Sequence, residues 1–324
     1  MMKLFHKFYE KYVDFGSVFV ASGTRNTHGQ GWRHHRAYKY IPGFTFSGTT
    51  LITKTFTATE RMDSENAKGN LKLNRETLMP IHFFPDCVKS NFWKEETYNS
   101  VGLSGLAFKE IFNKGELQKL KKPFIISFMA VGKTPEERFK EYRDFVKVIW
   151  GNIWKFGALF AIEINVSCPN TCHNPDALTK EVIRYLSILK RLGVPLGIKF
   201  NVLASHETVK AIMDSGFCDF IDIPNTLPIA LENIWKYPKA VSIYNKYATC
   251  GLSSPAQFLK AALWVKRARE IGIREQIILG SIYCKECAEV AKDVGADAIS
   301  VGAVSIVRPY RLSGIIKKSN IVFN

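Results

Sequence analysis

The hexapeptide at 165–170, Asn-Val-Ser-Cys-Pro-Asn, carries the side chains of this sequence that are best suited to chemistry. Cys168 could act as a base or a nucleophile in its thiolate form. Asn165 and Asn170 flank it, and an asparagine amide can both donate and accept hydrogen bonds. Several amides around a flat heterocycle would match a ring edge that alternates N–H and C=O groups, as a pyrimidine does. The segment therefore indicates a reactive thiol beside a polar binding site.

Further polar side chains end apolar runs elsewhere in the chain. Lys54 and Lys199 each end one such run, and Asn225 followed by Thr226 ends another. Polar groups in such positions need a partner when a strand end is buried, and a ligand can supply it. We expect Lys199, deep on its strand, to hold negative charge on a cofactor ring.

These residues must be positioned by the regular elements that the sequence predicts. Eight short apolar runs, rich in β-branched residues, have the near-continuous hydrophobicity of parallel strands buried on both faces. The runs span 17–23, 50–57, 124–130, 161–168, 196–201, 220–225, 277–282 and 298–303. Helical patterns lie between most of them, at 135–150, 176–192, 207–215, 255–271 and 285–294.

Eight strands alternating with helices predict an α/β fold, a closed (β/α)₈ TIM barrel made of parallel strands. We interpret residues 1–324 as a single domain, with small insertions in two long connections, 58–123 and 226–276. A barrel places its active site at the carboxyl ends of its strands, where all the polar residues named above lie. Small residues end the last two strands, at Gly280-Ser281 and Gly302-Ala303, where many barrels bind phosphate through backbone N–H groups.

Composition and charge exclude several classes of protein. Apolar residues make up 46% of the chain and charged residues 23%, which is typical of a globular protein. No run approaches the roughly 18 apolar residues of a membrane span. Seven cysteines do not suggest a disulfide framework, so we expect a reducing, cytoplasmic compartment. Cys284 and Cys287 form a C-x-x-C pair without a second pair or a nearby histidine, so we predict no metal site.

The formal net charge of +16 is less ordinary. Such a surplus is compatible with nucleic acid, an anionic membrane surface or anionic small ligands. The basic residues are spread along the chain, however, and their densest runs, 33–36 and 119–122, lack interleaved aromatic residues. We therefore predict a solvated basic surface and no nucleic-acid partner.

Residues 165–170 resemble the signature loop of the dihydroorotate dehydrogenases, flavin enzymes of de novo pyrimidine synthesis. Residues 21–23 and 51–55 resemble the first two strands of that family, and residues 99–103 resemble its substrate-binding loop. Lys199 and Asn225-Thr226 follow in the same order and at suitable spacing. The resemblance covers about residues 16 to 312.

The resemblance implies oxidation of (S)-dihydroorotate to orotate. Cys168 would take the proton from C5 while a hydride passes from C6 to N5 of FMN. A cysteine at this position is similar to the soluble class 1 enzymes, whereas class 2 enzymes have serine. The substrate would contact Lys54, Asn99, Gly102, Leu103, Asn165, Asn170, Asn225 and Thr226, with its carboxylate on the backbone N–H groups of Gly102 and Leu103.

The resemblance also implies the residues around the cofactor. Lys199 would lie near the N1–O2 edge of the flavin. The other implied FMN contacts are Ala21, Ser22, Gly23, Lys54, Thr55, Asn165, Gly251, Gly280, Ser281, Gly302 and Ala303. The chain departs from the family's paired glycines at Cys250-Gly251, Gly280-Ser281 and Gly302-Ala303, and has Val101 where class 1 enzymes often have methionine.

Several alternatives stay open at this point. The electron acceptor could be fumarate, a quinone, or NAD reached through a partner iron–sulfur flavoprotein. The resemblance implies a homodimer that is not an integral membrane protein. Two other functions compete with the first: another FMN-dependent dihydropyrimidine oxidoreductase, and a degenerate barrel that binds a nucleotide without catalysis.

Overall fold

A closed ladder of eight parallel strands forms the centre of the protein, which confirms the predicted TIM barrel. The computed structural model describes residues 1–62, 69–166 and 175–324, with the side chains of all of these except 175–180. The eight strands are β3 (Val18–Val20), β4 (Thr50–Ile52), β7 (Phe124–Phe128), β8 (Phe160–Asn165), β9 (Leu196–Lys199), β10 (Phe220–Ile223), β13 (Gln276–Leu279) and β14 (Ala298–Val301). Around the barrel their order is β10-β13-β14-β3-β4-β7-β8-β9.

Most barrel strands are shorter than the apolar runs that predicted them. In the second run the parallel ladder stops after Ile52 and resumes only as an isolated bridge between Phe56 and Phe128. Residues 53–55, which lie between, carry the polar side chains Thr53, Lys54 and Thr55. The runs therefore overestimate the strands because their last residues leave the ladder to form the rim of the barrel.

The predicted helices are all present, with ends that shift by no more than a few residues. The helix at Pro135–Trp150 has the predicted bounds, since Thr134 accepts a hydrogen bond from the Glu137 N–H and proline occupies its first turn. The helices are α1 (Arg33–Tyr38), α2 (Phe108–Asn113), α3 (Pro135–Trp150), α4 (Pro175–Leu189), α5 (His206–Met213), α6 (Pro238–Tyr247), α7 (Ala256–Glu270), α8 (Glu286–Asp293), α9 (Val304–Val307) and α10 (Leu312–Phe323). Within the described ranges, each helix is too short or too polar to cross a lipid bilayer.

An N-terminal hairpin, which the sequence patterns did not predict, closes the bottom of the barrel. Its strands β1 (Lys3–His6) and β2 (Lys11–Asp14) pair antiparallel. The hairpin and its flanks bury Met2, Leu4, Val13 and Phe15 against apolar side chains inside the barrel. These inner side chains are Phe19, Ile52, Ile125, Ala161, Phe220, Ile278 and Ala298.

On several strands, the side chains inside the barrel change from apolar to polar two residues beyond this lower layer. Successive side chains in a strand alternate between faces, so residues two apart share the inner face. Above Ile125 stands Ser127, above Ala161 stands Glu163, and above Phe220 stands Asp222, all three fully buried. The barrel thus has an apolar lower layer and a polar upper layer.

The two long connections form a separate antiparallel sheet beside the upper end of the barrel. Strands β5 (Val88–Asn91) and β6 (Glu96–Asn99) come from the first connection, and β11 (Leu227–Pro228) and β12 (Gly251–Ser253) from the second, in the order β11-β12-β6-β5. Glu95, at the turn between β5 and β6, forms ion pairs with Arg308 at 2.9 Å and Arg311 at 2.8 Å. The predicted insertions therefore join each other across the rim.

Truncation of Phe15 tests the plug at the bottom of the barrel. The Phe15 side chain is 1% exposed, so Phe15→Ala should lower the free energy of unfolding by about 3–5 kcal/mol. Tyr12, on the same hairpin, is 72% exposed, and Tyr12→Ala should change it by less than about 0.5 kcal/mol. Denaturant unfolding measures both. Equal effects of the two changes would contradict the assigned packing.

Candidate active site

A cavity of about 830 Å³ opens at the carboxyl ends of the barrel strands. Its volume lies in the upper part of the roughly 300–1,000 Å³ range of small-molecule sites. Residues that end or follow seven of the eight barrel strands line it, together with residues of both insertions. The cavity is therefore where a barrel enzyme would hold its ligands.

Most of the site residues predicted from the sequence come together at this cavity. Those on its wall are Ala21, Ser22, Gly23, Lys54, Thr55, Asn99, Leu103, Asn165, Lys199, Asn225, Thr226, Gly280, Ser281, Gly302 and Ala303. Two predicted residues, Gly102 and Gly251, are not among the residues that line the cavity. Cys168 and Asn170 fall outside the described residues.

Gly251 supports the wall from behind. It pairs with Asn99 across β12 and β6, and a Cβ atom at this position would lie 3.2 Å from the Thr226 Cβ. That approach is tight enough that any larger residue would push Thr226. The glycine thus lets Asn99 and Thr226 stand side by side at the cavity.

Hydrogen bonds connect the polar side chains of the floor. The Asn225 Nδ2 donates to Asn165 Oδ1 at 3.0 Å, and the Asn165 Nδ2 donates to Thr55 Oγ1 at 3.3 Å. Thr55 Oγ1 lies 3.0 Å from both the Ser22 and the Ser127 hydroxyl oxygen. These bonds fix which end of each amide is the donor, and so orient the floor before any ligand binds.

The loop at 100–105, the cradle, carries the two backbone N–H groups that were predicted to receive a carboxylate. Gly102 and Leu103 both have left-handed backbone, with φ of 67° and 58°. Among the described residues, neither N–H donates to an acceptor. The Arg61 Nε donates to the Gly102 carbonyl at 2.9 Å, and the Lys54 ammonium donates to the Ser104 carbonyl. Two fixed N–H groups and a lysine can bind a carboxylate.

A second group of donors, which have no acceptor among the described residues, lies after β13 and β14. The Tyr283 side chain is 4% exposed and lines the cavity, and its hydroxyl has no partner within the described part of the chain. The same holds for the backbone N–H groups of Ser281 and Ala303. Burial of the Tyr283 hydroxyl raises its pKa, so it stays protonated and can donate to an anion. Sequence reasoning missed Tyr283, because a tyrosine two residues after Ser281 gives no signal of its own.

Positive side chains surround the cavity. Lys54 and Lys199 lie on its wall near the barrel, and Arg33, Lys89 and Lys239 line its outer part. One described acid on the wall, Asp86, forms an ion pair with Lys246 at 2.7 Å. This excess of cations favours anionic ligands and agrees with the basic character of the whole chain.

Below Lys199 lies an acid pair that sequence reasoning also missed. Glu163 and Asp222 are both 0% exposed, and Asp222 Oδ2 lies 2.9 Å from Lys199 Nζ. Burial raises the pKa of Glu163 to about 8, Lys199 opposes that shift, and the neighbouring Asp222 adds to it. A lone carboxylate inside each of two apolar runs, Ile162-Glu163-Ile164 and Ile221-Asp222-Ile223, is the signal that could have found the pair.

Comparison with known proteins gives these residues a context. A protein of Endomicrobium trichonymphae is 28% identical over 228 residues, which are 67% of this chain and 68% of that protein. A protein of Limosilactobacillus reuteri is 27% identical over 259 residues, 75% of this chain and 78% of that protein. The first is named the catalytic subunit of dihydroorotate dehydrogenase B (NAD(+)), and the second dihydroorotate dehydrogenase A (fumarate). The chain is similar to dihydroorotate dehydrogenases.

The similarity confirms the resemblance predicted from residues 165–170 and the related motifs. A third dihydroorotate dehydrogenase, a B-type catalytic subunit from Thermodesulfovibrio yellowstonii, is 28% identical over 68% of this chain and 70% of its own length. No known family profile matches the chain. Two solved structures, a BexX/CysO complex from Amycolatopsis orientalis and FabK from Thermotoga maritima, overlap it with TM-scores of 0.35 and 0.37 at 14% and 15% identity. Each covers 62% of this chain, and 67% and 52% of the respective solved chain, a likeness too slight to inform the fold.

Ser281 provides a test of backbone strain at the site. Its φ is 58°, and the left-handed region costs a non-glycine residue roughly 1–2 kcal/mol. Ser281→Gly would relieve this strain, but glycine loses more backbone entropy on folding, which offsets part of the gain. The substitution should therefore raise the free energy of unfolding by up to about 1 kcal/mol. Ser281→Ala keeps the Cβ atom and should not stabilise the protein. If the two variants are equally stable in denaturant unfolding, this strain is not there.

Proposed function

We propose that the protein oxidises dihydroorotate to orotate with FMN as its cofactor. The observation that carries the proposal is the convergence of Lys54, Asn99, Asn165, Lys199 and Asn225 on one cavity at the carboxyl ends of the barrel strands. Similarity to dihydroorotate dehydrogenases supports the same substrate. A lysine-rich site with several amides suits a small planar acid whose ring carries N–H and C=O groups.

The described residues fit an FMN molecule by two features. Within the described ranges, the buried Tyr283 hydroxyl and the N–H groups of Ser281 and Ala303 donate to no acceptor, and a phosphate would supply one. Lys199 lies on the cavity wall with 5% of its surface exposed, where it would hold negative charge at one edge of the ring. When bound, the flavin supplies a hydride acceptor that the side chains of this protein cannot provide.

The substrate would be held by the amides and by the cradle at 100–105. In the proposed arrangement its carboxylate accepts hydrogen bonds from the N–H groups of Gly102 and Leu103, with the Lys54 ammonium beside them. Asn99, Asn165, Asn170 and Asn225 pair with the ring edge, and Thr226 lies next to Asn225. Because the Asn225 Oδ1 already accepts the Thr226 N–H at 2.9 Å, its amide presents an N–H to the ligand.

Cys168 is the proposed base. Its thiolate would remove the proton at C5 of dihydroorotate while the hydride leaves C6. One C–H bond is thus broken at each carbon of the new double bond. Cys168 follows Asn165 by three residues, and Asn165 lies on the cavity wall. The electron acceptor is fumarate in one relative and NAD in two others by name, and a steady-state assay with each would assign it here.

The proposed reaction has a direct optical test. The purified protein should be yellow, and dihydroorotate added without oxygen should bleach the flavin absorbance. Cys168→Ala should slow this bleaching by at least about a hundredfold while FMN stays bound, because a positioned base contributes roughly 10²–10⁴-fold.

Cys172→Ala, four residues further along the chain, is the matched control and should bleach at a rate close to that of the original protein. A less than threefold loss in Cys168→Ala would remove the thiol from the mechanism. A yellow protein that dihydroorotate leaves unchanged would instead favour another dihydropyrimidine as substrate. A colourless protein that binds nucleotides would favour a barrel without catalytic activity.

The donors of Ser281, Tyr283 and Ala303, after β13 and β14, predict how the affinity for the cofactor responds to salt. FMN and riboflavin share the ring and differ in the phosphate, which Ser281, Ala303 and Tyr283 would bind. FMN should therefore bind more tightly than riboflavin, and its advantage should shrink as salt screens the surrounding cations. Fluorescence titration of the apoprotein with each compound across a salt series measures this. Equal affinities at every salt concentration would show that no phosphate is bound after β13 and β14.

A further inference from the structure

Three charged side chains meet on neighbouring strands inside the upper layer of the barrel. Glu163 lies on β8, Lys199 on β9 and Asp222 on β10, and Asp222 is directly opposite Lys199 in the parallel register. Glu163 and Asp222 are 0% exposed. Burial of two like charges around one cation is costly, because water cannot compensate either carboxylate.

The hydrogen-bond and ion-pair partners of these oxygens show how part of that cost is offset. Ser127 donates to Glu163 Oε1 at 2.8 Å, and Lys199 Nζ lies 2.9 Å from Asp222 Oδ2. Glu163 Oε2 and Asp222 Oδ1 receive no donor from any residue that the structure describes. Glu163 and Asp222 lie on the two strands that pair with β9, on either side of Lys199, and two carboxyl groups can hydrogen-bond to each other only when one of them carries a proton.

We propose that Glu163 and Asp222 share one proton, so that the acid pair and the Lys199 ammonium form a neutral unit beneath the cavity. The proton sits on Glu163 Oε2 and is donated to Asp222. Glu163 Oε1 then remains the acceptor for Ser127, and the Asp222 carboxylate keeps its ion pair with Lys199. Every buried polar atom of the unit gains a partner in this arrangement.

The unit reaches the cavity through the hydrogen-bonded floor. Ser127 contacts Thr55, Thr55 contacts Asn165, and Asn165 accepts from Asn225. Glu163 and Asp222 do not line the cavity themselves, so they are positioning residues that act through Lys199 and Ser127. The charged groups that face Glu163 in the described chain are Lys199 and Asp222, while β7 presents the uncharged Ser127.

One consequence rests on the proposed function. If the cavity holds FMN, reduction by a hydride adds one negative charge close to Lys199. A neutral unit leaves the ammonium able to stabilise that charge, whereas a doubly ionised pair would repel it. The potential of the bound flavin should therefore depend on whether the shared proton is present.

The proton itself can be observed in the apoprotein, without any cofactor. Infrared spectroscopy with ¹³C-labelled glutamate should show the C=O band of a protonated carboxyl at pH 7. The band should disappear in Glu163→Gln and as the pH is raised through about 8. It should also disappear in Asp222→Asn, because Glu163 would then ionise against Lys199.

Glu141→Gln is the matched control, since Glu141 is a half-buried acid on α3 whose Oε2 accepts the Val131 N–H at 2.6 Å. It should leave the band of Glu163 in place. Absence of a protonated band in the original protein, or its survival in Glu163→Gln, would overturn the proposal. A band that persists in Asp222→Asn would also overturn it, because Glu163 would then be protonated without sharing.

The flavin-loaded protein gives a second, independent measurement. At pH 7 the midpoint potential of Glu163→Gln should match that of the original protein, since a glutamine amide replaces the protonated acid and can still donate to Asp222. At pH values high enough to remove the shared proton, the midpoint potential of the original protein should fall below that of Glu163→Gln. A variant that has a higher potential at pH 7 already would mean that both acids are ionised. If no flavin binds at all, the proposed function fails while the infrared result still decides the pair.

Discussion

Closure of the parallel ladder determines where every other feature of the protein can lie. Because the eight strands run in one direction, their carboxyl ends meet at one rim, and residues two apart on a strand stack in layers inside the barrel. The lower layer is apolar and is sealed by Met2 and Phe15 of the N-terminal hairpin. With its lower end sealed, the barrel opens to ligands at the upper end. The apolar layer provides the hydrophobic stabilisation against which the polar layer above it is buried.

The polar layer is tolerated because its members satisfy one another. Asn225, Asn165, Thr55 and Ser127 form a continuous series of hydrogen bonds that ends on Glu163. A satisfied buried network is rigid, and a rigid network presents donors and acceptors in fixed directions. The same bonds that lower the cost of burial therefore preorganise the floor of the cavity, which is what a site for a planar ligand needs.

The sequence was informative wherever a local pattern reflects a local cause. Eight apolar runs predicted the barrel, and the residues at their ends predicted the part of the cavity wall that the strands contribute, because strand ends and the rim coincide in this fold. The hairpin at Lys3–Asp14 was missed, since its strands are short and only one face of each is buried. Tyr283 gives no signal in the sequence. The lone carboxylates Glu163 and Asp222 stand out in their apolar runs, but their common contact with Lys199 depends on the pairing of strands that are far apart in sequence. Gly251 was predicted as a site residue, but its contribution could not be predicted from its place after a cysteine. Strand pairing sets its position next to Asn99 and Thr226.

The positive charges of the site divide by depth, and the two groups must act differently. Arg33, Lys89 and Lys239 line the outer part of the cavity, so salt screens their attraction for an anion. Lys199 is 5% exposed and held by Asp222, so its charge is little affected by salt but strongly affected by the protonation of the acids below it. The outer cations can therefore recruit an anion from solution without discriminating among anions. Discrimination has to come from the floor, where a charge change on the ligand meets the buried Lys199 ammonium, whose compensation by the acids below it depends on the proposed shared proton.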